Sequence, residues 1–120
     1  MQLIGHELVP YEPLFWRENA DQIKADEQNL FKFNKAMIKR AQEKGAKFSV
    51  TCENVSECII ANAAGANLLV ISKREVTPKA ANLAQFYLFD AKVACIIGDE
   101  SELSEIAGYQ ADVAIFKNAV

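Results

Sequence analysis

The first candidates for chemistry in this chain are polar residues that follow apolar runs of strand length. Lys73 and Arg74 come directly after the uncharged run 67–72 and shortly before Thr77-Pro78, a pair typical of a helix start. Unpaired N–H groups and the helix dipole favour an anion at such a start. The pattern therefore predicts that Lys73, Arg74 and Thr77 bind a phosphate or a carboxylate.

Two acidic residues join this predicted site. Asp99 follows the apolar run 92–98, and Glu12 follows the first candidate strand, 2–9. Ligands of parallel sheets and β/α barrels lie beyond the carboxyl ends of the strands, so we expect both acids to share one rim with Lys73 and Arg74. The alternative is that all of them are solvated loop residues, because charged side chains are mostly exposed.

No complete catalytic or cofactor motif accompanies these residues. The chain lacks both glycine-rich phosphate-binding motifs, G-x-G-x-x-G and G-x-x-x-x-G-K-[ST]. His6 is the only histidine, and the three cysteines include no Cys-x-x-Cys, so we predict no zinc site and no disulfide framework. The sequence therefore leaves open whether the protein is an enzyme, and it indicates no particular cofactor.

A repeated sequence pattern indicates which secondary-structure elements position these residues. Four times an alanine precedes an uncharged run, at Gly45-Ala46, Gly65-Ala66, Asp90-Ala91 and Gln110-Ala111. The repeat length of 20 or 25 residues fits one strand, one helix and two loops, and alternating order favours a parallel sheet. This cadence is similar to that of many β/α barrels and doubly wound domains across 47–117, and it is specific to no family.

We predict a single α/β domain over residues 1–120, with three layers and a mainly parallel sheet of five or six strands. The arrangement is flavodoxin-like or Rossmann-like, and a partial β/α barrel is the alternative, because a pattern indicates strand number but not strand order. The runs 67–72 and 92–98 are apolar on both faces and should be adjacent or near-adjacent central strands.

Helix signals divide the rest of the chain. Asn34 is predicted as the N-cap of a helix that follows a strand over 29–33, although one long helix over 19–44 is the competing interpretation. The pairs Asn54/Glu57 and Asp99/Glu102 have capping-box spacing, and Thr77 is the predicted N-cap of a helix that ends at Asp90.

Four aromatic residues are candidates for a protein–protein contact. Phe86 and Phe89 project away from the apolar face of the predicted helix 78–90, and Phe15 and Trp16 lie in a segment that begins with two prolines. Aromatic side chains are enriched in interface cores, so we predict a homo-oligomer. The alternative is that Phe89 folds over the helix end and Trp16 covers an open sheet edge.

Charge and hydropathy narrow the partners. The formal net charge is −3, with seven Lys or Arg in 24–47 and five acids without a base in 98–112. This balance disfavours nucleic acid and favours self-complementary association. The longest uncharged stretch, 58–72, is too short to span a bilayer, so we predict a cytoplasmic protein that binds no membrane.

These observations favour a non-catalytic interaction protein or small-ligand-binding protein that self-associates. The alternative is a small enzyme or phosphate-ligand-binding protein that uses Lys73, Arg74 and Asp99, with an anionic small molecule as its partner. No reaction follows from the residues alone, because fold likeness does not specify a site.

Overall fold

The computed structural model describes all 120 residues, Met1–Val120, as an α/β structure with one parallel sheet. Seven strands form the sheet: β1 Gln2–Ile4, β2 Leu14–Trp16, β3 Gln28–Lys32, β4 Phe48–Cys52, β5 Leu68–Ile71, β6 Lys92–Ile97 and β7 Val113–Phe116. Four α-helices follow the later strands: α1 Lys35–Lys44, α2 Val55–Ala63, α3 Thr77–Phe86 and α4 Leu103–Gly108. The longest helices have ten residues, and none has the length and hydropathy that crossing a bilayer requires.

The strand order is β1-β7-β6-β5-β4-β3-β2, so sequence neighbours from β2 to β7 are also neighbours in the sheet. Most buried helix residues belong to one apolar cluster with one face of the sheet, including Met37, Cys58, Ala80 and Ile106. The other face packs only against itself, through residues such as Leu30, Val70 and Ile115. The sheet is therefore a curled half-barrel with a single helix layer.

This architecture confirms the predicted α/β class and corrects two details. The sheet has seven strands instead of five or six, because β2 forms in the segment that was expected to be a turn or loop after the two prolines. The three-layer arrangement is wrong, because sequential strand order places every crossover helix on the same face. The partial β/α barrel that was the alternative is the observed topology.

The repeated alanine has a backbone explanation at the helix ends. Gly45 and Gly65 have φ angles of 62° and 102°, and Gln110 has 66°, so each ends a helix in the left-handed region. The alanine that follows donates its N–H to the carbonyl five residues earlier, as Ala66 does to Ala61 at 3.0 Å. This is the Schellman arrangement, which satisfies helix-end carbonyls and turns the chain into the next strand.

The third copy of the repeat departs from this rule. Here Leu88, with a φ angle of 54°, is the left-handed residue, and Phe89 donates to the carbonyl of Ala84 at 2.9 Å. Helix α3 therefore ends at Phe86, earlier than the predicted Asp90. Asp90 and Ala91 become a linker into β6.

Most local predictions are confirmed. The Asn34 side chain accepts from the Met37 N–H at 3.0 Å and caps α1, and a strand precedes it, so the single long helix is excluded. Strands β5 and β6 are adjacent in the middle of the sheet. Thr77 as N-cap is wrong, because a 3-10 turn, Arg74–Val76, runs directly into α3 and makes Thr77 a helical residue.

A buried asparagine anchors the start of β3. Asn29 is fully buried, and its Nδ2 donates to the carbonyls of Lys24, Glu27 and Lys47 at 2.8–2.9 Å. Its Oδ1 accepts from Arg17 Nε at 2.8 Å and from the Lys24 N–H at 3.1 Å. These five hydrogen bonds replace the main-chain pairing that the irregular segment before β3 lacks. The Asn29 side chain therefore holds that segment and the start of β4 in place.

The first two connections of the fold differ from the others. No helix links β1 to β2, and a short 3-10 helix, Ala20–Gln22, replaces an α-helix between β2 and β3. Strand β1 ends at Ile4, and Gly5 turns with a φ angle of 100°, where an added Cβ would lie 2.8 Å from the Ala119 Cβ. The chain then returns to the amino end of the sheet as an irregular segment. Its residues Pro10–Pro13 make no backbone hydrogen bond, so side chains alone hold this strap against the edges of β1 and β2.

Candidate functional site

The predicted rim at the carboxyl ends of the strands holds three of its five residues. Lys73 follows β5 and is exposed without an ion pair, Arg74 begins the 3-10 turn next to it, and Asp99 follows β6. Because β5 and β6 are neighbours, these residues lie at one end of adjacent strands. The rim therefore exists, and its chemistry depends on what each side chain already contacts.

Arg74 is held by acids of the following unit. Its Nη1 donates to Glu102 at 2.8 Å and to Glu105 at 3.1 Å, and its Nη2 donates to the Ile96 carbonyl at 2.9 Å. Hydrogen bonds to the two glutamates raise the pKa of Arg74 above its usual value. The guanidinium therefore binds two carboxylates within the chain instead of presenting a free cation.

The same contact sets the state of Glu102. Its hydrogen bond with Arg74, followed by bonds from the Gly98 and Asp99 N–H groups, lowers the pKa of Glu102 below its usual value. Asp99 and Glu102 form the predicted capping box at the 3-10 turn Glu100–Glu102. These acids therefore stabilise a helix start and an ion pair.

Thr77 and Glu12 do not join the rim. Thr77 is fully buried, and its hydroxyl lies 3.3 Å from the Cys95 Sγ. Glu12 precedes β2 instead of following β1, which places it at the amino ends of the strands, where its Oε2 accepts from Gln28 Nε2 at 2.8 Å. The predicted rim grouping of Glu12 with Lys73 and Asp99 is wrong, because the first strand ends at Ile4 and the strap reverses direction.

A contact that the sequence reasoning missed joins the same rim. His6 follows β1, and its Nε2 lies 2.6 Å from Glu100 Oε1, while its ring packs edge-on against Phe116 at 5.6 Å between centroids. We expected His6 inside the first strand, and only the early end of β1 brings it to the carboxyl end. The spacing of 94 residues between His6 and Glu100 leaves no sequence signal for this pair.

The cysteine thiols are buried in the helix-side core. Cys52 lies at the end of β4, and Cys58 lies in α2. A side-chain hydrogen bond with Cys58, together with burial, raises the pKa of Cys52. Burial likewise raises the pKa of Cys95. A protonated, inaccessible thiol is a poor nucleophile, so the position of Cys52 before a helix start does not make it reactive.

A large cleft lies at the opposite end of the sheet, among the amino ends of the strands. It has a volume of about 900 Å³ and opens between the edges of β1 and β2, beneath the strap. Ile4, Leu14 and Leu68 form its apolar base, and the loops before β5 and β6 form its far wall. We name it the amino-end cleft.

The predicted contact aromatics occupy different surfaces. Phe86 is 77% exposed, whereas Phe89 is half-buried and packs against the helix-side core. Phe15 and Trp16 are exposed on the edge strand β2, where Arg17 lies 5.3 Å from the Phe15 ring and Trp16 Nε1 donates to Glu18 at 2.7 Å. Phe86 is therefore the most exposed of the four and the only one of them on the helix layer with its ring in solvent.

Phe86 belongs to a larger apolar surface on the helix layer. Its ring contacts the Tyr87 ring edge-on, with 4.8 Å between the centroids. Five large apolar side chains of α2, of the last residue of α3 and of the turn after it are exposed: Ile59, Ile60, Phe86, Tyr87 and Leu88. We call these five residues the helix-face patch. The exposed face of α2 carries no charged side chain, since Glu57, its only charged residue, is half-buried and accepts from the Glu53 N–H.

Helix geometry places the two parts of the patch on neighbouring helices, α2 and α3. The residue after a buried position turns toward the next helix, because Gln42 follows buried Ala41 and bonds to Ala64 at the end of α2. Gln85 follows the partly buried Ala84 and bonds to Gln110 after α4. Ile59 follows buried Cys58, so the same geometry turns it toward α3.

The comparisons with known proteins support the fold alone. No protein-family model matches the chain, and no curated protein sequence matches it. A solved structure described as a cube-shaped, highly porous protein cage, designed by fusing symmetric oligomeric domains, is similar with a TM-score of 0.58 and 20% identity. The match covers 74% of this chain and 34% of the cage chain, so this chain spans about a third of the length of that neighbour.

Proposed function

We propose that the protein is a non-catalytic interaction protein that binds a second copy of itself through the helix-face patch. The observation that carries this proposal is the cluster Phe86, Tyr87 and Leu88, which are 77%, 63% and 84% exposed. Large apolar patches on a soluble protein mark interaction sites, and aromatic side chains are the usual anchors of an interface.

The backbone at Leu88 supports the same surface. Leu88 holds a left-handed conformation, with a φ angle of 54°, which costs a residue with a Cβ about 1–2 kcal/mol. Gly45 and Gly65 occupy the matching position in two other copies of the repeat at no such cost. The helix-end turn accounts for this backbone, as it does at Gln110, and it leaves the Leu88 side chain almost fully in solvent next to Tyr87.

The charges beside the patch select one arrangement of the two copies. Helix α1 carries Lys35, Lys39 and Arg40 on its exposed face, whereas the α4 region carries acids such as Glu100 and Glu105. A two-fold axis parallel to the helices, between α2 and α3, sets the α1 of each copy opposite the α4 of the other. A perpendicular axis sets like charges together, so complementarity favours the parallel axis.

The cage structure is consistent with this use of the fold. That cage was designed by fusing symmetric oligomeric domains, and about a third of its chain has the fold of this protein. The alternative of an enzyme or phosphate-binding protein at the carboxyl-end rim gains no support, because Arg74 is paired with two glutamates and Glu12 lies at the other end of the sheet.

Sedimentation of wild type and two variants tests the proposal. Phe86→Ser removes an anchor of the helix-face patch and should raise the dimer dissociation constant about thirtyfold, the equivalent of ~2 kcal/mol. Trp16→Ser is the matched control, since Trp16 is also an exposed aromatic residue, at 44%, but lies on β2. It should leave the dissociation constant unchanged.

Two results would count against this assignment. A wild type that stays monomeric at high micromolar concentration removes self-association altogether. Dissociation by Trp16→Ser but not by Phe86→Ser moves the contact to Phe15 and Trp16, the second predicted surface.

A further inference from the structure

The amino-end cleft exists because one repeat of the barrel lacks its helix. Strands β1 and β2 are both sheet edges, and the strap Pro10–Pro13 crosses the gap between them without a backbone hydrogen bond. The cleft volume of about 900 Å³ falls within the range of small-molecule sites, roughly 300–1,000 Å³. A segment held only by side chains can adjust to an occupant at little cost.

The cleft wall carries both signs of charge, and none of them is paired. Asp90 and Lys92 line it on either side of Ala91, whose side chain is buried in the opposite direction under the helix layer. Glu12 lies across the cleft and bonds only to the Gln28 amide. No ion pair in the chain includes Asp90, Lys92 or Glu12, so their charges remain available to a ligand.

The two wall charges indicate the ligand. Asp90 and Lys92 are separated by a single residue and both line the cleft, so an acidic and a basic group face the same space, as a free peptide with an ammonium at one end and a carboxylate at the other requires. Lys92 suits the terminal carboxylate and Asp90 the terminal ammonium. The side-chain amides of Gln2 and Asn67 line the same cleft and match a peptide group, and the apolar base of Ile4, Leu14 and Leu68 matches aliphatic side chains.

We propose that the amino-end cleft binds a free dipeptide with aliphatic side chains, its carboxylate on Lys92 and its ammonium on Asp90. The site is separate from the helix-face patch, since none of the five patch residues lines the cleft. Binding therefore goes beyond the proposed self-association and does not depend on it.

Calorimetry with L-leucyl-L-leucine and its two blocked forms tests this assignment on the full chain. N-acetylation removes the ammonium and C-terminal amidation removes the carboxylate, and each should weaken binding about tenfold, as expected for loss of one charge-assisted bond. Lys92→Gln should weaken the free dipeptide to the same extent but leave the amidated form unchanged. Asp90→Asn should weaken the free dipeptide but not the N-acetylated form.

Lys117→Gln is the matched control, because Lys117 is an exposed lysine that follows β7 at the carboxyl end. It should bind the dipeptide like wild type. Equal binding of the free and blocked forms, or no heat at low-millimolar dipeptide, overturns the proposal. Repeating the titration in the Phe86→Ser background separates it from self-association: retained binding there supports a site within the monomer, and lost binding contradicts one.

Discussion

The two ends of the sheet have opposite characters. At the carboxyl ends, Arg74 bonds to Glu102 and Glu105, and His6 bonds to Glu100. At the amino ends, a large cleft carries Glu12, Asp90 and Lys92 without ion pairs. Ligands of β/α folds are expected at the carboxyl ends, where loops are free to vary. Here the loops of that end bond to each other, and the missing first helix opens the other end.

This difference between the two ends shows that the position of the cavity depends on how the strands are connected, and not only on the direction of the strands. Helices α1 to α4 connect successive strands and pack the sheet tightly on one face. The strap between β1 and β2 is the one connection between sequence-adjacent strands without a helix, and the cleft lies directly beside it.

The largest expected effect comes from the structure that holds the amino end together. Asn29→Ala removes five hydrogen bonds made by a fully buried side chain, so we expect a loss of about 3–5 kcal/mol in the free energy of unfolding. Urea denaturation measures it. Asn54→Ala is the matched change at the carboxyl end, where Asn54 only caps α2, and it should lose about 1 kcal/mol. Similar losses for the two variants would contradict the contrast between the ends.

A smaller effect is expected at Leu88, where one substitution should raise the stability of the monomer but weaken its association. Leu88→Gly removes left-handed strain, so it should raise the free energy of unfolding of the monomer by about 1 kcal/mol. The same change removes an exposed side chain of the helix-face patch, so it should weaken association. Denaturation and sedimentation of one sample measure the two effects. Gln110→Gly is the control, because Gln110 is also left-handed, at 66°, but lies outside the patch. It should gain stability without any change in association.

The smallest effect is a pH dependence at the carboxyl end. The folded-state pKa of Glu102 lies below its unfolded value, so its ion pair with Arg74 stabilises the fold above the unfolded pKa. That contribution is lost as the pH falls through the folded pKa. Arg74→Gln should therefore lower the melting temperature at neutral pH, and the difference from wild type should shrink in acid.

Arg40→Gln is the control for this measurement. Arg40 pairs with Glu43 at 3.6 Å within one exposed helix face, and exposed pairs contribute little. A constant difference between Arg74→Gln and wild type from neutral pH to acid would show that Arg74 acts by packing instead of charge.

Several features of the fold were predictable because their causes lie within a few residues. The Asn34 cap, the Asp99/Glu102 capping box and the buried strands β5 and β6 follow from side-chain type and short spacing. The exposure of Phe86 also follows from helix periodicity, since it projects opposite the buried Ala80 and Ala81 face. Phe89 packs against the core beyond the end of α3, in agreement with the alternative that it folds over the helix end.

The candidate site was less predictable, because its contacts join residues far apart in the chain. Arg74 meets acids 28 and 31 residues away, and no local pattern indicates that its charge is already paired. Glu12 lies at the amino ends of the strands instead of the predicted carboxyl ends. The first strand has three residues, Gln2–Ile4, instead of the predicted eight, and Gly5 turns the chain back with a positive φ angle.

The parallel β/α repeat, the helix caps and the apolar runs that become the sheet can be inferred from local sequence, because hydrophobic periodicity and short-range hydrogen bonds involve residues close together in the chain. The strand order, the single helix layer and the end at which the cleft opens are visible only in the folded structure. These depend on which strand edges meet, and edge pairing is set by the summed packing of all the units. A strap without a helix leaves that packing incomplete at one place, and the cleft forms there.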